Sequence, residues 1–182
     1  SGYENEIREI ILNEVESYAD ECTIDQMGNL FVKKNSKKKN AKKIMIAAHM
    51  DEIGVMASHI DKNGFVYIAA IGGVNPLTCL GGRVKFLNGT EGVIYAETEK
   101  MNKVPTFNQL FVDVGADSKE SCPIRTGDIG VFQRPFMEIG NRWVSKTLDN
   151  RVGCLIAIET IKTLQDSPHD LTFVFTTQEE VG

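Results

Sequence analysis

"KIMIAAHMDEIG", residues 43–54, changes character halfway along. From Ile44 to Ala48 it is continuously apolar, as a strand buried on both faces of a sheet would be. Then His49, Asp51 and Glu52 arrive almost together. Alternation along a strand puts His49 and Asp51 on the same side. Open α/β sheets place their ligand sites at the carboxyl ends of strands. Taken as a buried strand, this stretch makes the chain an α/β protein and raises the question of which other strands end in similar chemistry.

Two others do. "KTLDNRVG", 146–153, puts Asp149 between a strand-like segment and the start of a helix. "TTQEEVG", 176–182, follows an apolar run from Leu171 and carries the adjacent Glu179 and Glu180. Each has an ordinary reading on its own. His49 is then a satisfied core histidine, Asp149 a helix N-cap, and the glutamates a solvated strand end. Taken together, one imidazole and several carboxylates at strand ends form a ligand set suited to zinc or a similar divalent ion. Adjacent glutamates in different environments can divide labour, one binding metal and the other moving a proton. His59 and His169 stand apart from these clusters and read as non-ligands. The paired glycines of "IGGVNP" and "LGGRV" neither open a helix nor carry the lysine of a phosphate loop.

Working outward, Ile7, Ile10, Ile11, Val15 and Tyr18 recur at helical spacing, which predicts an amphipathic helix over 3–19. "CTIDQMGNLFVKK" (22–34) reads as two short strands around a Met-Gly-Asn turn. Between about 71 and 144 glycines punctuate short β-type segments such as "RVKFL", "GVIYA", "LFVDVGA" and "DIGVFQ", the texture of a small barrel or sandwich. Helical period returns at 150–164, before the apolar strand at 171. The expected organisation is an α/β domain with a mixed sheet, 1–72 and 145–182, interrupted by a small all-β, barrel-like insert at 73–144.

The bulk numbers exclude some partners. A net charge of −5 argues against nucleic acid, whose phosphates require a basic surface. The seven lysines of 32–43 read as a solvated loop between strands. No apolar stretch approaches the ~18 residues of a membrane span. Cys22, Cys79, Cys122 and Cys154 are widely spaced. They read as free thiols of a reducing, cytoplasmic compartment rather than a disulfide framework.

"HMDEIG", "KTLDNRVG" and "TTQEEVG", in this order and with a β-rich insert between the first two, resemble the glutamyl, deblocking and tetrahedral aminopeptidases. These are the co-catalytic metallopeptidases of family forty-two, some of which carry endoglucanase names. The opening "SGYENEIREII" is similar to the family's N-terminal stretch. The resemblance spans essentially the whole chain and implies a zinc-peptidase-like fold with two divalent ions, zinc or cobalt. His49 would ligate one ion, Asp149 would bridge both, and Glu180 would ligate the other. Glu179 would be the general base, and Asp51 would orient His49. Peptides would be the substrates, and the full-length protein would be a homo-oligomer, a dodecamer in resembling proteins, with the insert serving assembly. Family members also use a further Asp and a His downstream of the paired glutamates, and a short helical segment before the opening motif. By that measure the chain is truncated at both ends. Two rival expectations follow: an inactive fragment or assembly module of such an enzyme and, more weakly, a glycoside hydrolase with Glu179 and Glu180 as its acid pair.

Overall fold

The computed structural model describes residues 1–97 and 105–182 of the chain. They form two compact units. One is made of Ser1–Glu52 with Thr147–Gly182, the other of Ile53–Lys146.

The first unit is a four-stranded mixed sheet. Its strands are β1 (Glu21–Ile24), β2 (Leu30–Lys34), β3 (Lys43–His49) and, after the second unit, β12 (Asp170–Thr176). Their order is β1-β2-β12-β3, with β12 antiparallel to β2 and parallel to β3. Alternation decides which residues face the core. Leu30, Val32, Leu171, Phe173 and Phe175 share one face through the register Leu30↔Phe175 and Val32↔Phe173. On that face lie helices α1 (Asn5–Val15) and α2 (Leu148–Thr163), which contribute Ile11, Val15, Cys154, Ala157 and Ile161. A parallel neighbour cannot be reached by a tight turn, and α2 is the crossover element that delivers β12 beside β3.

The expectation that 44–48 is buried on both faces is corrected. Positions 43–47 are exposed on both faces because β3 is the edge strand of this sheet: Met45 is 67% exposed, and even Ile44 and Ile46, level with Leu171 and Phe173 on the helix-bearing face, are 39% and 38% exposed. The apolar run correctly marked a strand, but composition does not reveal which layers cover it.

The second unit contains a closed six-stranded barrel. Its strands are β4 (Gly54–Ile60), β5 (Val66–Ile71), β6 (Arg83–Phe86), β7 (Glu91–Ala96), β8 (Leu110–Asp113) and β9 (Ile129–Phe132), in the order β4-β5-β8-β7-β6-β9. Every pairing is antiparallel, and β9 closes on β4 through Val55↔Gly130. Val55, Ile68, Val84, Phe86, Ile94, Leu110, Val112 and Phe132 fill the interior. Where β4 meets β9 the backbones approach closely: a Cβ on Gly54 would stand 2.7 Å from the Gly130 carbonyl oxygen, and one on Gly130 would stand 2.5 Å from the Val84 side chain. A hairpin of β10 (Met137–Ile139) and β11 (Arg142–Val144) follows, exposed along its length, with Phe136 and Trp143 6.2 Å apart.

The units divide at Ile53 and Thr147, whereas sequence texture put the first boundary at 72. Strands β4 and β5 look like a continuation of the apolar sheet. Only their pairing partners assign them to the barrel.

Candidate metal centre

The site sits where β3 and β12 end together. His49 closes β3 opposite Thr176, and the Met50 N–H carries the ladder one step further to the Thr176 carbonyl at 2.8 Å. His49 is 7% exposed. Its imidazole is the hub of the cluster. Nε2 lies 3.1 Å from Asp149 Oδ1 and 3.8 Å from Glu179 Oε2, and Nδ1 lies 3.4 Å from Asp51 Oδ1. The Asp51 contact is close enough for electrostatic attraction but is not aligned as a hydrogen bond, so buried Nδ1 lacks a hydrogen-bond partner. One ligand atom each from His49, Glu179 and Glu180 fall within 4.8 Å of one another. That spacing suits a divalent ion, whose bonds to N and O donors are about 2.0–2.2 Å long.

The helix and the last turn bring the other residues in. α2 starts from Thr147, and Asp149 and Asn150 depart from helical geometry, with a cis peptide bond between them. The N-cap reading of Asp149 is therefore corrected. Its carboxylate meets His49 rather than a helix N–H, and its side chain is 88% exposed. Two further α2 residues tie down the end of β3. The Cys154 thiol donates to the His49 carbonyl at 3.2 Å, and Arg151 Nε donates to the Met50 carbonyl at 3.3 Å. Burial pushes the Cys154 thiol up to about 11, against a smaller opposing effect of Arg151.

Glu179 and Glu180 lie not on a strand but in a short 3₁₀ turn, Glu179–Val181. Side chains on a strand alternate in direction, and on that basis the adjacent pair would point apart. In the turn both carboxylates reach the cluster. Asp51, 2% exposed, accepts the backbone N–H groups of Glu179 and Glu180, each at 3.1 Å. An anion satisfying the free donors at the start of a helical turn is favourable. Burial alone would raise the Asp51 pKa. Ser1 and those two N–H groups, helped by His49, overcome burial and hold it below the usual value. Glu180 moves the other way. Burial raises its pKa, as do Asp51, Asp149 and Glu179, and His49 offsets them only in part. Such crowding of carboxylates is what a bound cation relieves.

His59 instead stacks on Tyr67, with ring centroids 4.3 Å apart, and neither it nor His169 belongs to the cluster found among the described residues. Sequence reasoning missed Cys154, Arg151 and a third support. Thr177, just before the glutamates, donates its N–H to Asn29 Oδ1 at 2.9 Å and its hydroxyl to the Met27 carbonyl at 3.1 Å. The Met-Gly-Asn turn was legible as a turn but not as a brace.

A mixed sheet with one imidazole and convergent carboxylates at the carboxyl ends of parallel neighbours defines the class: an α/β protein with a candidate divalent-metal centre. The family model described as M42 glutamyl aminopeptidase matches residues 28–182. A provisionally assigned aminopeptidase of Acetivibrio thermocellus is 44% identical over 186 residues, covering 100% of this chain and 55% of that protein. The solved aminopeptidase APDkam598 of Desulfurococcus kamchatkensis is 40% identical with a TM-score of 0.90, covering 100% of this chain and 53% of that one. The TET1 peptidase of Pyrococcus horikoshii, which can assemble into a tetrahedron or a large octahedral shell, is 33% identical with a TM-score of 0.85, over 100% and 58%. The chain belongs to the M42 glutamyl aminopeptidase family, and it spans about half the length of these relatives.

Proposed function

We propose that the protein works in a metal-dependent aminopeptidase, removing the N-terminal residue of peptides. The observation that carries this reading is the convergence of His49, Glu179 and Glu180 within 4.8 Å, with Asp149 on the same imidazole. The donors fit divalent ions such as zinc or cobalt: an imidazole nitrogen and carboxylates whose mutual repulsion a cation would relieve. His49 and Glu180 would each hold an ion, with Asp149 between them. When bound, such ions lower the pKa of a water and polarise a carbonyl.

The chain's own residues do the rest. Glu179, with a side chain 59% exposed beside His49, takes a proton from water and returns it to the leaving amine. Asp51 fixes the turn that presents Glu179 and Glu180, and it faces the imidazole nitrogen opposite Asp149. The excess of carboxylates favours a substrate's free α-ammonium group, which would restrict cleavage to the chain end.

Catalytic zinc keeps about three protein ligands. His49, Asp149 and Glu180 leave two ions short, and we place the remaining ligands in the half of the relatives' length that this chain does not span. A glycosidase is disfavoured by the family and by the role of Asp51 in orienting both glutamates to one imidazole cluster. No described helix is long and apolar enough to cross a membrane, and the free cysteines fit a reducing cytoplasm. Release of an aminoacyl chromophore by the full-length parent tests the proposal. Glu179→Gln should abolish turnover while metal content is kept; unchanged turnover would overturn the assignment.

A further inference from the structure

We propose that Asn29, in the turn between β1 and β2, is a positioning residue of the metal centre, holding the backbone that delivers Glu179 and Glu180. The inference rests on the role given to those glutamates above. β12 ends at Thr176, so Thr177 and Gln178 must carry the chain to the glutamate turn without strand pairing. Gln178 has φ of +58°, a left-handed conformation that a side chain resists. This path needs outside support to keep one course.

Asn29 supplies it. Its Oδ1 accepts the Thr177 N–H at 2.9 Å and stands 3.2 Å from the Thr177 hydroxyl, and Thr177 is 7% exposed. The amide is itself held, because Nδ2 donates to Asp25 Oδ2 at 2.8 Å and so aims Oδ1 at Thr177. Asp25 Oδ1 in turn accepts the N–H groups of Met27 and Asn29, both at 2.9 Å, and Arg8 donates to the Gly28 carbonyl at 3.2 Å. The glutamate turn is therefore fixed on two sides: by Asn29 just before it, and by Asp51, which takes its first two N–H groups. The position needs an acceptor toward Thr177 and a donor toward Asp25. Alanine offers neither, and aspartate alone would set two carboxylates against each other.

Amide hydrogen exchange of the 182-residue chain tests this, together with calorimetric titration with cobalt(II). Asn29→Ala is expected to speed exchange at Glu179 and Glu180 about tenfold while Phe173 and Phe175 in β12 stay protected, since local opening is read separately from global unfolding. Cobalt affinity should weaken in proportion to the lost fraction of chains with the turn closed, a smaller factor than the change in exchange while the turn stays mostly closed. The exchanged pair Asp25→Asn with Asn29→Asp keeps an acceptor for Thr177 and one donor between positions 25 and 29, so it should restore both readouts. Unchanged protection of Glu179 and Glu180 in Asn29→Ala would overturn the proposal. So would faster exchange spread equally over Phe173 and Phe175, which marks a general structural role. If the unmodified chain takes up no measurable cobalt, as its incomplete ligand set allows, amide protection alone decides the role of Asn29.

Discussion

At the scale of single residues, two carboxylates in one cluster respond to pH with opposite sign. The Asp51 pKa is lowered in the fold, so its contribution to stability is complete above the ordinary aspartate value and is lost as pH falls through the folded one. Glu180 is raised, so its ionisation opposes folding at neutral pH, and that opposition fades as pH drops through the raised value. Melting temperature should therefore rise slightly on acidification from neutral and then fall once Asp51 takes up a proton. Glu180→Gln should flatten the first limb only. Asp51→Asn leaves one of the two turn N–H groups without an acceptor, and a urea titration should show a loss of about 1–3 kcal/mol. Cys154, held near 11 by burial, should carry roughly a hundredfold less thiolate than an ordinary cysteine at pH 8. Iodoacetamide should modify it only after unfolding, which mass mapping of the labelled peptides checks.

At the scale of elements, α2 and β3 meet closely at Gly153. A Cβ there would lie 2.3 Å from Asn150 Oδ1 and 3.2 Å from Ala48 Cβ. Gly153→Ala should therefore displace the Asn150 side chain, next to Asp149, and press α2 against Ala48 of β3 by a few tenths of an ångström. It is expected to cost about 1–3 kcal/mol in denaturation despite the better helix propensity of alanine. Much of this level was legible in the sequence. The helical period gave α1 and α2, the apolar run gave β3, and glycine-spaced segments gave barrel strands. What was not legible depends on pairing. The affiliation of β4 and β5, the exposure of β3 and the turn geometry of Glu179–Val181 are set by neighbours distant in sequence. The same holds for the site. Residue types named His49, Asp51, Asp149, Glu179 and Glu180 as candidates, but nothing in the Met-Gly-Asn turn announced that Asn29 reaches Thr177.

At the scale of the molecule, an incomplete ligand set should show itself directly. The isolated chain is expected to bind zinc or cobalt weakly and below two ions per chain, as measured by elemental analysis after dialysis, with little peptide turnover. Two tightly held ions with robust activity would show that the ligands are misassigned.

The strand order β1-β2-β12-β3 also has a meaning in time. During synthesis β2 and β3 leave the ribosome early, yet they are not neighbours. The strand that separates them is made only after all of Ile53–Lys146 has been added. The barrel is continuous in sequence and can close first. The sheet must wait for its own middle. The interval before β12 emerges is when β2 and β3 have unpaired edges, and when a nascent chain would depend most on a chaperone.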